Sequence, residues 1–202
     1  TFLENRLDLR SIPFVTIDSI DARDFDDAIF AEPDTSPNNV DGFHIIVAIA
    51  DVSWYVPANS AIDRNAHKRG NSVYFPDRVV PMLPEALSNN LCSLLPNEDR
   101  PCLAVHIWID KSGKIIKHHF ERVLIRSVAR LTYEQVQSAY NGDGDHMTEE
   151  LRTNVIEPIY KTYDLLVLNR KVRDLTNLVD LSNTKNSLLE NSNNLQPSLN
   201  NQ

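Results

Sequence analysis

One stretch of this chain commits to a fold element with little freedom left. Leu103, Val105, Ile107 and Ile109 alternate with polar or mixed neighbours, Lys111-Ser112-Gly113 turns the chain, and Lys114 to Val128 returns in β-type residues. That is the pattern of an antiparallel hairpin. Three more strands are expected around it, at Phe14 to Ile17, at Ala28 to Phe30, and at Phe43 to Val56, which is rich in Ile, Val and aromatics. Helices punctuate the rest. Ser60 followed by Asp63 is an acidic form of the capping box, and Gly70 stops the helix that this predicts over 61–69. Thr132 with Gln135 opens a second helix that ends at Asn141-Gly142. Leu151, Val155, Ile159, Tyr163 and Leu166 repeat at helical spacing, with Pro158 expected to start or kink that helix. Residues 71–101 carry five prolines and read as ordered loop with one short helix near 84–91.

The architecture expected is therefore α+β, a mixed and largely antiparallel sheet with flanking helices. Residues 1–13 are polar and read as a lead-in, 14–175 as the folded region, and 182–202 as a disordered tail, since the last 20 residues hold seven Asn and three Ser. The absence of an initial Met reads as a processed product or a fragment.

Composition narrows the function classes. The longest largely apolar run, Phe43 to Ala50, is far short of the ~18 residues that span a bilayer, so no membrane partner is expected. Cys92 and Cys102 alone make neither a disulfide framework nor a four-ligand zinc site, and a reducing cytoplasm fits best. The formal charge of −8 argues against a simple basic nucleic-acid-binding module. Its distribution is uneven. Asp18 to Asp34 holds seven acidic residues against Arg23, whereas Lys111 to Arg130 holds six Lys/Arg against one Glu. An acidic knot and a basic stripe suggest a site that holds a cation and a surface that meets an anion.

The knot places five aspartates within the ten residues from Asp18 to Asp27. Two carboxylates ~5 Å apart repel by roughly 3 kcal/mol at an effective dielectric of 20. Either they spread into water as a solvated acidic turn, or a divalent cation draws them together. In a strand Asp24 and Asp26 would face one way and Asp27 the other, so convergence requires a loop or bulge. The strand-like flanks on both sides would fix the carboxylates near a core. No EF-hand register offers Gly at its sixth position, and with oxygen ligands alone the metal is hard, Mg²⁺ or Mn²⁺. Mg²⁺ shared between carboxylates and substrate phosphates is the arrangement of phosphoryl transfer, which suggests a phosphodiester or phosphate enzyme.

The run FVTIDSIDARDFDDAIFAE, then FHIIVAIADVSWYV, then RGNSVYFPDRVVPMLPEALSNNLCSLLPNEDRPCLAVHI, and finally HHFERVLIRSVARLTYEQV resembles the RNB catalytic domain. This is the domain of the RNase II and ribonuclease R family of processive 3′-to-5′ exoribonucleases. The resemblance covers about Asp8 to Gly142 in the same order and ends near Lys171. It implies a Mg²⁺-dependent enzyme that hydrolyses single-stranded RNA to 5′-mononucleotides. The T-I-D-x5-D-x-D-D motif of the family falls on Asp18, Asp24, Asp26 and Asp27. The resemblance implies that Asp18 and Asp27 are the principal metal ligands and Asp24 a further ligand or ligand-positioner. Asp26 would hold the 3′-terminal nucleotide or assist proton transfer. Asp21 lies outside the motif and reads as solvated.

Tyr74 matches the family tyrosine that stacks on an RNA base; by spacing alone it reads as a core aromatic. Asp51 either faces the same cavity or makes a structural hydrogen bond. Lys114, Lys117, Arg122, Arg126 and Arg130 either track phosphates or form a solvated strand face. Cys92 reads as a small buried hydrophobe. The later arginine-bearing motif of the family, His-Phe-Thr-Ser-Pro-Ile-Arg-Arg-Tyr, is not in this sequence. The chain thus reads as the first half of an RNB domain, as a frameshifted or split coding region would produce, with a second polypeptide supplying the rest. The competing expectation is a non-catalytic remnant or interaction module that binds metal or a partner polypeptide.

Overall fold

A computed structural model describes residues 5–143 and 147–174. The tail expected over 182–202 lies outside the described residues. The strands are β1 (Leu7–Asp8), β2 (Val15–Asp18), β3 (Asp27–Pro33), β4 (Phe43–Ala50), β5 (Val73–Tyr74), β6 (Val79–Val80), β7 (Asp99–Ile109), β8 (Ile115–Arg126) and β9 (Ala129–Thr132). Seven form one sheet in the order β1-β8-β7-β4-β3-β2-β9, and β5 and β6 pair as a separate ribbon. Only the outer pairs, β1 with β8 and β2 with β9, run parallel; every other neighbour is antiparallel. The mixed, largely antiparallel α+β expectation holds.

The hairpin is the long axis of the sheet, with Asp99 opposite Arg126 and Ile109 opposite Ile115 across a bulge. Its tip needs Gly113 twice over. The residue has φ of +76°, and a Cβ there would stand 2.2 Å from the carbonyl oxygen of Leu165 on the last helix. Asn169 of that helix also donates to the Ser112 carbonyl at 3.2 Å.

Period-two patterning sends alternate residues to two cores. On one face Phe14, Phe25, Phe30, Ile46, Leu94 and Val123 pack together. On the other, Val15, Leu131, Val136, Val155 and Ile156 pack under the helices, and Phe43, Ile45 and Ile109 under Leu165. Each large side chain so buried contributes about 1.5–3 kcal/mol.

The helices are α1 (Val52–Tyr55), α2 (Ala61–Arg69), α3 (Tyr133–Asn141) and α4, which opens at Glu149–Leu151 and continues through 157–174. Ser60 accepts from the Asp63 amide, and the Thr132–Gln135 capping box closes in both directions. The proline in α4 acts as expected. The turn ahead of Pro158, Arg152–Ile156, widens to π-helical, which makes room for a ring that donates no hydrogen bond. A second π-helical turn, Leu87–Leu91, is the short helix expected near 84–91.

Three features differ from the sequence reading. β4 stops at Ala50, six residues before Val56, because the Asp51 amide turns to the Pro101 carbonyl and its side chain is captured by Arg6. The polar lead-in joins the sheet through β1, and Arg6 and Leu9 are buried. β9 was not expected, since Ala129–Thr132 has no alternation of its own and is held by parallel pairing with β2.

Candidate active site

The four motif aspartates sit where β2 ends and β3 begins. Asp18 is the last residue of β2 and Asp27 the first of β3; Asp24 and Asp26 lie on the loop between them. This loop supplies the departure from strand geometry that convergence requires. It is not a floppy tip. Phe25 is buried in the core, its amide donates to Ser93 Oγ at 3.0 Å, and its carbonyl accepts from the Leu94 amide at 2.8 Å. Arg130, from β9, donates to the carbonyls of Ile20 and Ala22 at 2.8 and 3.3 Å and lies 4.8 Å over the Phe25 ring. The Asp26 carbonyl accepts from the Ala50 amide at 2.9 Å. Neutral contacts and one arginine therefore hold a loop whose charges repel.

Electrostatics shows which carboxylates share a neighbourhood. Burial pushes the Asp18 carboxyl above its ordinary value, followed by the charges of Asp27 and Asp26, while Arg130 opposes and Asp24 adds the smallest push. Asp27 is raised first by the crowding of protein around its carboxyl and then by Asp26. Asp18 thus feels the charges of Asp26 and Asp27 more strongly than that of Asp24.

The residues fit a hard cation. Asp18 Oδ2 is buried and has no hydrogen-bond partner, so a carboxylate oxygen is held ready with nothing satisfying it. Among the described residues no three His, Cys, Asp or Glu side chains are already gathered into a cage. Like charge on these carboxylates opposes their convergence until a cation offsets it.

The other sequence candidates separate. Asp51 is structural: Arg6 Nη2 donates to its Oδ2 at 2.5 Å, Ser53 Oγ to its Oδ1 at 2.5 Å, and Arg122 adds a longer bond at 3.4 Å. Despite its burial, these bonds hold its carboxyl below the ordinary range. Tyr74 is not a core aromatic; it stands 67% exposed on the β5–β6 ribbon. Cys92 is buried, as is Cys102, and both are free thiols. The basic stripe is divided among separate tasks. Arg130 grips the acidic loop, Arg122 meets Asp51, Arg126 pairs with Asp99, and Lys117 lies 4.0 Å over Trp108. Sequence reasoning missed Arg130 as the brace of the acidic loop and Arg6 as the partner of Asp51. Neither contact has a local signal, since they join residues 108–110 and 45 positions apart.

The RNB domain family matches residues 6–201. The chain belongs to that family. The match begins inside the lead-in and runs past Lys171. Ribonuclease R of Vibrio parahaemolyticus is 43% identical over 192 residues, covering 92% of this chain and 22% of the relative. Ribonuclease R of Escherichia coli is 44% identical over 170 residues, covering 83% and 20%. The structure of Mycoplasma genitalium RNase R in complex with double-stranded RNA matches at a TM-score of 0.77 and 37% identity, covering 85% of this chain and 30% of that one. The RNB chain here therefore spans about a fifth of the length of these curated relatives. No helix of its described residues is long and apolar enough to cross a membrane.

Proposed function

We propose that this RNB chain carries the metal-binding half of a Mg²⁺-dependent 3′-to-5′ exoribonuclease site. It acts on single-stranded RNA in the cytoplasm and releases 5′-mononucleotides. The observation that supports this most is the buried, unpartnered Oδ2 of Asp18 beside the charges of Asp26 and Asp27. Asp18, Asp24 and Asp27 would hold the ion, with Mn²⁺ able to replace Mg²⁺. When bound, the ion supplies an acidified water and charge neutralisation at the scissile phosphate. Hydrolysis adds the water oxygen to phosphorus and breaks the bond to the 3′-oxygen of the preceding nucleotide. The water proton leaves toward a carboxylate, and a proton returns to the 3′-oxygen. Asp26 would orient the 3′-terminal nucleotide or accept that proton, a role supported by its exposure on a loop anchored through its own carbonyl. Tyr74 offers an exposed ring for a base, worth ~1–3 kcal/mol per stacked base. Arginines that stabilise the transition-state phosphate would complete the site from outside these residues, a second polypeptide being one source.

A 3′-labelled single-stranded RNA tests this. Release of labelled mononucleotide with Mg²⁺, lost with EDTA and lost in Asp26→Asn, is the expected result. Release that Asp26→Asn leaves unchanged overturns the assignment. A second reading, a non-catalytic interaction module, rests on Ile49, Leu103 and Phe120. They lie on one sheet face at 45%, 47% and 61% exposure. Monomeric elution together with no binding of an apolar dye would remove that reading.

A further inference from the structure

Three imidazoles gather at the end of the sheet farthest from the aspartates, on the face that the first core occupies. His44 stands on β4, His106 on β7 and His119 on β8, with His106 and His119 directly opposite each other. Glu32 pairs with His44 across β3 and β4, and Glu121 follows His119 on the same face of β8. His44 Nδ1 lies 3.1 Å from Glu32 Oε1, and its Nε2 lies 3.0 Å from His106 Nδ1. The ring centres of His106 and His119 are 6.4 Å apart, and His119 Nε2 is 3.7 Å from Glu121 Oε2.

Donor counting fixes the lone pairs at a pH where both inner rings are neutral. Ionised Glu32 only accepts, so His44 Nδ1 carries its hydrogen and His44 Nε2 is a lone pair. The hydrogen between the rings then belongs to His106 Nδ1, which leaves a second lone pair at His106 Nε2. That atom is buried without a hydrogen-bond partner, in a residue only 8% exposed. Buried polar atoms are nearly always satisfied, so an orphan held at a fixed position marks a place for a ligand. The surroundings are those of a metal-bound histidine. Such a ring donates its other N–H to an acceptor that fixes its tautomer, and here that acceptor is itself oriented by a carboxylate.

We propose that His106 and His119, with Glu121 beside them, form a second metal site, one for a borderline ion such as Zn²⁺ held between β7 and β8. Imidazole nitrogen suits Zn²⁺, Ni²⁺ and Cu²⁺, whereas the carboxylates of the acidic loop suit Mg²⁺ and Mn²⁺. His106 is the fixed ligand. His119 and Glu121 are the movable ones, their side chains 61% and 37% exposed. Two imidazoles on one tetrahedral Zn²⁺, each bonded at ~2.0–2.1 Å, have ring centres roughly 5–6 Å apart. The observed 6.4 Å therefore asks for a rotation of the exposed ring and none of the strands. Among the described residues no three such side chains already surround one point, so the ion itself closes the site, with water in the remaining position. Lys117, on the same face, is drawn over the Trp108 ring at 4.0 Å, and Glu32 and Glu121 offset its charge. The ion would also brace a weak edge. β1 pairs with β8 only at Val123 and Leu124, so among the described residues the outer half of β8 is held by β7 alone.

Calorimetric titration of the full chain with Zn²⁺ at pH 7.5, in excess Mg²⁺, tests the site. One equivalent should bind. His119→Gln should weaken that binding at least about tenfold, and His44→Leu, which removes the acceptor for the His106 Nδ1 hydrogen, roughly 10- to 100-fold. His118→Gln, on the other face of β8, and Asp27→Asn, in the acidic loop, should bind Zn²⁺ as the unaltered protein does. No Zn²⁺ binding, unchanged affinity in His119→Gln, or loss of affinity in Asp27→Asn overturns the proposal. Should His44→Leu not fold, ring ¹⁵N shifts of the unaltered protein decide. Zn²⁺ must move His106 Nε2 and a ring nitrogen of His119 while His67 and His118 hold still, and a His106 ring that does not respond refutes the site.

Discussion

Asp18 ends β2 and Asp51 follows β4 of the same sheet, and the chain treats them in opposite ways. Asp51 is met by two arginines and a hydroxyl, and its carboxyl is held low. Asp18 has a buried oxygen with no partner and like charges around it, and its carboxyl is pushed high. A carboxylate that only stabilises a fold is surrounded by donors. One left short of donors at a fixed position stores a free-energy cost that a ligand can relieve. This contrast, more than the number of aspartates, marks the acidic loop as a site and the Asp51 cluster as a clamp.

The clamp breaks with the largest effect. Arg6→Met leaves Asp51 buried and short of its shortest charged partner, a change that costs about 3–5 kcal/mol. Arg122 remains at 3.4 Å and sets the lower end of that range. Urea unfolding should show the loss at an unchanged slope, and Asp51→Asn in the same background should restore part of it by removing the stranded charge.

On the acidic side, the corresponding anchor is apolar. Phe25→Ala removes a core ring and the surface on which Arg130 rests, and should cost about 3 kcal/mol by the same measurement. Its more telling consequence concerns the metal. With the loop unpinned, the carboxylates are free to spread, so Mg²⁺ should raise the melting temperature of the unaltered protein and raise that of Phe25→Ala far less.

Much of this contrast was legible in the residues, but not all of it. The acidic motif was visible because its members lie within ten positions, and the hairpin because its alternation is local. Helix ends were legible for the same reason, as Ser60, Gly70, Thr132 and Gly142 act within a few residues of themselves. The donors that distinguish Asp18 from Asp51 were not. Arg6 reads as part of a polar lead-in, and Arg130 as one more cation in a stripe; only the parallel pairing of β1 with β8 and β9 with β2 brings them to their partners. Parallel edge pairing joins segments far apart in sequence and leaves no periodic trace in either.

Asp18→Asn sharpens the comparison at smaller amplitude and with the opposite sign. It removes one charge from the repelling group, so without Mg²⁺ the protein should gain about 1 kcal/mol at neutral pH, the size of one such repulsion in a water-like medium. The pH dependence follows from the direction of each shift. The Asp18 contribution favours folding below the ordinary value of 3.8 and is lost as pH rises through its elevated folded value. The Asp51 contribution is present above 3.8 and is lost as pH falls through its depressed one. Asp18→Asn should therefore steepen the acid loss of stability, and Asp51→Asn should flatten it. Mg²⁺ protection should vanish in Asp18→Asn and persist in Asp51→Asn.

Tyr74 gives the smallest change in stability and so the cleanest separation of site from scaffold. Its ring is 67% exposed on a ribbon outside both cores, and Tyr74→Ala should alter unfolding by no more than about 0.5 kcal/mol. A stacked base is nonetheless worth about 1–3 kcal/mol, so affinity for a short single-stranded RNA should fall roughly 5- to 150-fold while the melting temperature stays put. Tyr74→Phe retains the ring and should bind as the unaltered protein does. Equal affinity in Tyr74→Ala would remove the ribbon from the RNA path and leave the acidic loop as the whole of the contact made by these residues.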